Sequence, residues 1–514
     1  MTFEFWGLNF DLCTMSFKSF LAKPFAKTIS RKIKSESIHA VELQTQIMNE
    51  LIEKGKTTVF GKDHGFEKIS NYEDFKNHVP IVDYEQMKNY VERVMAGEEN
   101  VLWKGKPIYF GKTSGTTSGT KYIPITKDSI SNHLDTARNA LMCYIAETGK
   151  TNWVDGKMIF LSGSPELDEK NGIKTGRLSG IVNHHVPAYL RKNQLPSYQT
   201  NCIEDWETKV EKIVEETMNQ NMTLISGIPP WVQMYYDRLI ERTGKKTIAE
   251  IFPNLQLFVY GGVNFAPYRE KLERTVGKKI DGIETYPASE GFIAFQDSQK
   301  ETGLLLNTNS GIFFEFIPAT EIFSEHPKRM TLKDVELGIN YAIIINNNAG
   351  LWGYNIGDTV KFVSQNPYRI VVTGRIKHFI SAFGEHVIAE EVEYAILEAA
   401  KKMNAEITEF HVAPFISSDQ GQSYHEWFIE FAKSPADMKV FANELEQNMM
   451  LKNIYYRDLI EGKILRSLKI TPMKKDSFTN YMRSKGKLGG QNKVARLGND
   501  RSVADELSTL TNDN

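Results

Sequence analysis

Between Met158 and Val276 the chain alternates short extended apolar runs with longer stretches of helical periodicity, and this alternation constrains the fold more than any other feature. Met158-Ile-Phe-Leu161 is followed by helical spacing over 203–219, Thr223-Leu-Ile225 by 231–242, and Leu255-Gln-Leu-Phe-Val-Tyr260 by 267–276. Extended runs place successive side chains on opposite faces, whereas helical runs repeat every three or four residues. The expectation is an α/β layered domain with a largely parallel sheet.

Strands then crowd together: Gly311–Phe316, Tyr341–Ile345, Thr359–Val363 and Tyr368–Val372. Such spacing predicts a smaller antiparallel or barrel-like subdomain. After Val372 the texture changes through Thr373-Gly-Arg-Ile-Lys-His378 to a helix near 388–402, a strand at Trp427–Phe431 and a helix near 435–451. The expected division is an N-terminal extension over 1–35, a large α/β domain with its β-rich subdomain over 36–375, and a smaller α+β C-terminal domain over 376–514. The large domain opens on a helix over 36–54 that places Ile38, Val41, Leu43, Ile47, Leu51 and Ile52 at mostly helical spacing and packs that face inward. Residues 470–497, rich in Lys, Gly and Ser, read as loop, with a disordered tail from about 498. Met1–Thr14 is aromatic and acidic, whereas Met15 opens a basic amphipathic stretch, so translation is expected to start at Met15.

At 514 residues the chain exceeds what one core ordinarily supports. A net charge of −2 argues against a protein held to nucleic acid by bulk electrostatics. Between Lys452 and Arg496, however, twelve Lys/Arg stand against three Asp/Glu, which suits either solvated surface or a lobe that closes on a polyphosphate. Cys13, Cys143 and Cys202 are far apart, with no CxxC spacing, and fit a reducing cytoplasm without a cysteine zinc site. No apolar run reaches membrane-spanning length. A cytoplasmic monomer without nucleic-acid or membrane partners is expected.

The run Thr113-Ser114-Gly115-Thr116-Thr117-Ser118-Gly119-Thr120-Lys121 follows the extended Pro107–Phe110. Glycines let a backbone turn and aim successive N–H groups into a concavity, and small hydroxyls add donors, so the run suits phosphate. It is not the common P-loop, since Gly115 and Gly119 are four apart and Tyr122 follows the lysine. A flexible polar surface loop is the competing reading. Four other clusters bear on the choice. Gly261-Gly262-Val263 ends a strong strand, where a base can approach bare backbone. Tyr286-Pro-Ala-Ser289-Glu290 offers an aromatic face, a hydroxyl and a carboxylate; Tyr354-Asn-Ile-Gly357-Asp358 sets an acid in a glycine turn; Gly490-Gln-Asn-Lys493 sets a lysine in a loop. Taken singly, Tyr286 reads equally as a core aromatic, Asp358 as a turn residue and Lys493 as solvated surface. His184-His185, read as extended neighbours on opposite faces, lacks the spacing of a metal pair.

In this order the clusters resemble the adenylate-forming superfamily, most closely the auxin-responsive acyl-acid amido synthetases, from about residue 36 to 497. The hydroxyl run is similar to that family's first nucleotide motif, Tyr286–Glu290 to its second and Tyr354–Asp358 to its third. Gly374-Arg375-Ile-Lys377 resembles the inter-domain hinge. Departures are Pro287-Ala288 in the second motif, Asn355 where an arginine is common, and Ala495 where proline is usual.

The resemblance implies an ATP-dependent ligase that converts a carboxylic acid into an acyl-adenylate, releases pyrophosphate, and passes the acyl group to an amine, an amino acid being expected, with release of AMP. It implies that Ser114, Gly115, Thr116, Thr117, Ser118, Gly119 and Thr120 hold the β- and γ-phosphates, with Lys121 nearby as a point charge. Gly262 and Val263 would approach the base, Tyr286 would stack on adenine and Ser289 would donate to the α-phosphate. Glu290 would hold Mg²⁺, Asp358 with Arg375 would fix the ribose, and Lys493 would bridge the reacting groups. An acyl-CoA ligase using the same adenylate, or a binding protein that keeps the fold without catalysis, are the alternatives.

Overall fold

The two apolar faces of each parallel strand determine the layering of the large domain, because such strands are covered on both sides. The computed structural model describes residues 17–114, 120–186, 188–203, 205–262, 265–376, 379–380, 387–416, 423–461, 465–488, 493–498 and 500–510. Helices α1 (Phe17–Ile38) and α2 (Ala40–Gly55) precede a hairpin of β1 (Tyr109–Ser114) and β2 (Thr120–Ile125), followed by α3 (Ile130–Thr148). Then come β3 (Lys157–Phe160), β4 (Gln194–Leu195), α4 (Trp206–Thr217), β5 (Met222–Ser226), α5 (Pro229–Thr243), β6 (Leu257–Gly261) and α6 (Ala266–Val276).

Met158, Leu224 and Leu257 point to a cluster shared with α1 and α3, while their neighbours Ile159, Ile225 and Phe258 point to one shared with α4, α5 and α6. Period-two alternation thus becomes a helix–sheet–helix sandwich. The crossover helices have local reasons to begin and end. Asp205 caps α4 by accepting from Thr208 N–H at 2.9 Å, prolines open α5, and left-handed Gly244 and Gly277 end α5 and α6. Each fully buried Leu, Ile or Phe in these clusters contributes about 1.5–3 kcal/mol of transfer free energy.

The strand-rich section contains β7 (Asp281–Ala288), β8 (Gly291–Phe295), β9 (Leu304–Leu306), β10 (Ile312–Pro318), β11 (Asn340–Asn347), β12 (Tyr354–Gln365) and β13 (Tyr368–Arg375). These strands pair antiparallel, but they do not close a separate subdomain. Among the described residues they continue the parallel strands in one 11-stranded sheet, ordered β10-β11-β12-β13-β9-β8-β7-β6-β5-β3-β4. The expected barrel-like unit is therefore the antiparallel half of a mixed sheet. A buried polar group anchors it: Glu315 accepts from Arg329, Tyr72 and Asn346, and the Asn346 carbonyl accepts from Gly353 N–H at 2.6 Å. Arg329 and Glu315 are nearly waterless, so their pairing must be complete.

Residues 17–35 are not a free extension. Ala26 of α1 is fully buried against the cluster that contains Tyr144 and Trp153. The C-terminal domain comprises α7 (Ala389–Lys402), β14 (Glu406–Phe415), β15 (Tyr424–Lys433), α8 (Met438–Lys452), β16 (Lys469–Met473), α9 (Ser477–Ser484) and α10 (Ser502–Thr509). Its three strands are ordered β14-β15-β16. Val412, Trp427 and Ile429 face α7 and α8; Ala413 and Phe428 face α9 and α10. Two expectations are corrected here. Residues 470–497 include a strand and a helix, and the segment beyond 498 includes α10, whose Ala504 and Leu507 are fully buried.

Candidate active site

The ends of β6, β7 and β13, the β1–β2 hairpin and Lys493 of the C-terminal domain come together near the middle of the sheet, where its parallel half meets its antiparallel half. Ser114 and Thr120 form the last pair of the β1–β2 hairpin. Gly115, Thr116, Thr117, Ser118 and Gly119 lie outside the described residues, as does Val263. β1 nevertheless runs beside the second cluster, since a Cβ on Gly111 would lie 3.7 Å from the Cβ of Ser289. Lys121 is half-buried with its Nζ 5.5 Å from the Tyr84 ring centroid.

Ser289 and Glu290 form the turn between β7 and β8. The Glu290 carbonyl accepts from Asn347 Nδ2 at 2.7 Å, which fixes the turn to β11. Burial raises the Glu290 pKa above the ordinary carboxylate value; its own backbone N–H and the charge of Lys121 oppose the rise. Among the described residues no Lys or Arg comes within ion-pair distance of this carboxylate.

Tyr286 and Asp358 are joined directly. The phenol donates to Asp358 Oδ2 at 2.7 Å, and Arg375 Nε donates to Oδ1 at 2.8 Å. Asp358 and Arg375 are cross-strand partners in β12 and β13, so the register sets their pairing. Tyr286 is 7 % exposed and belongs to the main core cluster, so its hydroxyl has the partner that a buried phenol needs. A carboxylate has about four lone-pair directions, which leaves Asp358 capacity for further donors. Asn355 also has a role: its side-chain carbonyl accepts from Gly357 N–H at 2.9 Å and shapes the turn before Asp358.

β6 ends at Gly261, where an added Cβ would fall 2.2 Å from the Thr285 carbonyl oxygen, so the position admits no side chain. Gly262 follows with φ +81°, in the left-handed region. A Cβ built there would lie 3.4 Å from Lys493 Nζ. A lysine of the C-terminal domain therefore reaches the end of a central strand of the large domain. The Lys493 side chain is exposed, with protein atoms crowding its ammonium on the side that meets Gly262. That crowding, followed by the positive charge of Arg375, lowers its pKa from 10.5 to about 8, while Asp358 acts in the opposite direction.

A pH prediction arises here. Below about 8 the lysine of the free protein carries its charge; above it, the charge is lost. If a step needs that cation, kcat/KM for ATP declines as pH rises through about 8, far below the ordinary lysine range. A pH–rate profile with ATP varied checks this, and a profile flat through that region counts against a role for the charge.

The structure thus brings Gly262, Tyr286, Ser289, Glu290, Asp358, Arg375 and Lys493 into one neighbourhood. His184 and His185 are not extended; they close a short helix over Leu178–His184 and bond to the Pro165 carbonyl and the Tyr109 hydroxyl. Among the described residues there is no group of three or more His, Cys, Asp or Glu poised for a metal, and no helix long and apolar enough to cross a membrane. Sequence reasoning missed the residues that dock the domains. Tyr268 donates to Glu409 at 2.9 Å, Arg274 pairs with Glu406 at 2.7 Å, and Arg483 pairs with Glu207 at 2.7 Å. No local pattern marks them, since each partner lies on the other domain.

Family models match three parts of the chain: the GH3 family N-terminal domain over residues 29–201 and 168–280, the central domain over 305–375 and the C-terminal domain over 390–502. The jasmonoyl–L-amino acid synthetase JAR4 of Nicotiana attenuata is 22% identical over 486 residues, covering 80% of this chain and 83% of that protein. The indole-3-acetic acid-amido synthetase GH3.3 of Arabidopsis thaliana is 22% identical over 535 residues, covering 88% and 89%. Among solved structures, the AtGH3.15 acyl acid amido synthetase in complex with 2,4-DB superposes with a TM-score of 0.77 at 15% identity, covering 94% of this chain and 96% of that one. A 2-hydroxyisobutyryl-CoA ligase shares the fold at a TM-score of 0.56 and 12% identity.

Proposed function

The chain belongs to the GH3 family, and from that premise we propose that it is an ATP-dependent ligase that activates a carboxylic acid as its adenylate and transfers the acyl group to the amine of an amino acid. In the first half-reaction a carboxylate oxygen attacks the α-phosphorus of ATP and the bond to pyrophosphate breaks. In the second, the amine attacks the acyl carbon, AMP leaves, and the amine gives up a proton.

The observation that carries this reading is Lys493 Nζ beside Gly262, next to the bonded group of Tyr286, Asp358 and Arg375. Negative charge gathers on the phosphoryl oxygens during transfer, and a fixed cation in a partly dehydrated cleft stabilises it. Lys493 takes that role, and Asp358 accepts the ribose hydroxyl protons while Arg375 holds it in place. Ser114–Thr120 hold the terminal phosphates and Lys121 adds a point charge. Gly262 and Val263 leave room for the base against Tyr286, and Ser289 donates to the α-phosphate.

A magnesium ion fits Glu290, a partly buried carboxylate that pairs with no Lys or Arg among the described residues, because Mg²⁺ is ordinarily held by one or two carboxylates together with phosphate oxygens. When bound it neutralises phosphate charge. The positioning of Glu290 comes from the chain itself, through Asn347 and the β7–β8 turn.

The test is a screen of carboxylic acids for acid-dependent pyrophosphate release, followed by offering an amino-acid mixture and coenzyme A together and weighing the product. An amide is expected. A thioester would move the acceptor assignment, and no release with any acid would end the ligase reading. The soluble substrates call for no membrane, and a monomer acting in the cytoplasm accommodates the whole site within one chain.

A further inference from the structure

A contact between the two domains lies away from the proposed nucleotide residues, on the outer helix α6. Tyr268 of α6 donates its hydroxyl to Glu409 Oε2 at 2.9 Å across the domain boundary. The other oxygen of Glu409 accepts from Arg496 Nε at 3.0 Å, and Arg496 Nη1 donates to Glu393 at 2.8 Å. The Arg496 guanidinium lies 4.9 Å from the Tyr268 ring centroid and 5.1 Å from that of Phe410. Arg496, Glu393 and Glu409 are all nearly buried, with side-chain exposures of 11, 11 and 14 %.

Backbone bonds connect this cluster to the lysine. Val412 N–H donates to the Arg496 carbonyl at 2.9 Å and Gly498 N–H to the Val412 carbonyl at 2.9 Å, so residues 496–498 are fixed to β14, the strand that bears Glu409. Lys493 is three residues upstream. The docking pairs Arg274–Glu406 and Arg483–Glu207 involve more exposed groups, and such pairs hold little. A hydrogen bond to a nearly buried carboxylate such as Glu409 is worth more, because both partners lose water and the acceptor is charged.

We propose that Tyr268 is a positioning residue for adenylation: its bond to Glu409 latches the C-terminal domain in the orientation that brings Lys493 to Gly262. The inference rests on the ligase reading above only for its kinetic consequence. Without the hydroxyl, the latched orientation is less populated, and the half-reaction that needs Lys493 slows in proportion. Transfer to the amine, which does not need Lys493 at Gly262, does not slow.

Tyr268→Phe tests this, since it keeps the ring under Arg496 and removes one oxygen; Arg274→Ala serves as the comparison for general loosening of the boundary. First, the nucleotide-free proteins are treated with an acetylating reagent and Lys493 modification is followed by peptide mass, with exposed Lys245 as internal reference. Lys493 labelling relative to Lys245 is expected to change several-fold in Tyr268→Phe alone. Second, pyrophosphate exchange is expected to fall by roughly ten- to a hundred-fold, the range of a lost hydrogen bond to a charged group, while acyl transfer from a supplied acyl-adenylate is unchanged. Unchanged Lys493 labelling overturns the latch, as do equal losses in both half-reactions or an equal effect of Arg274→Ala. If the native protein exchanges pyrophosphate with no acid, the ligase reading fails, and the labelling result still decides the latch.

Discussion

Lys493→Ala lowers acid-dependent pyrophosphate exchange by about two to three powers of ten, while ATP affinity stays near normal. The size follows from where the charge sits. Nζ lies beside Gly262 at the end of β6, where crowding by protein and the charge of Arg375 lower its pKa to about 8. A charge held that way is already oriented when negative charge develops on the phosphoryl group, and no solvent need rearrange. On the proposed reading, ATP in its ground state binds Asp358, Arg375 and the hydroxyl-rich run, so affinity survives. Lys493→Arg is not a rescue, because a planar fork does not replace a compact ammonium in a space bounded by bare backbone. Exchange kinetics with calorimetric ATP binding check both halves, and a full exchange rate in the alanine variant would remove Lys493 from the first step.

Glu290→Gln also lowers adenylation by about two to three powers of ten, and it raises thermal stability. The two effects have one source. The carboxylate is partly buried, burial raises its pKa, and no described cation pairs with it. An isosteric amide removes a desolvated charge that Lys121 and Arg375 offset only in part, and relief of that kind is stabilising. The same charge is what a divalent cation needs, so the concentration of Mg²⁺ giving half-maximal exchange increases. Melting temperature without nucleotide, together with exchange at graded Mg²⁺, tests the pair. A less stable variant with unaltered Mg²⁺ dependence would mark Glu290 as a structural acid.

The parallel half of the sheet was readable because each strand carries its evidence locally: Met158 and Ile159, or Leu224 and Ile225, must find apolar cover on opposite faces. The merger of the two halves was not. It depends on β9, whose Leu304 pairs with Ile370 of β13, and no short pattern specifies a partner so distant. The C-terminal helices α9 and α10 were missed for another reason. α9 buries little beyond Phe478 and Met482 and α10 little beyond Ala504 and Leu507, and each is only 8 residues long, so tertiary packing sustains helices too short to stand alone. The cleft was legible wherever glycine, hydroxyl and acid crowd into a few positions. Tyr268 and Glu409 are 141 residues apart and each reads as ordinary surface. Asn355, a departure from the family pattern, makes sense only once its bond to Gly357 is seen.

The single sheet of the large domain divides what this chain can vary from what it cannot. Gly262 comes from the parallel side, Asp358 and Arg375 from the antiparallel side, and the Ser289–Glu290 turn sits between them. A slip of one residue in any intervening strand would turn its side chains to the wrong face and pull the two flanks of the cleft out of step. Evolutionary change is thereby steered away from the strands and toward the helices and loops above them, so a lineage can trade one acid for another while its nucleotide chemistry stays inherited and intact.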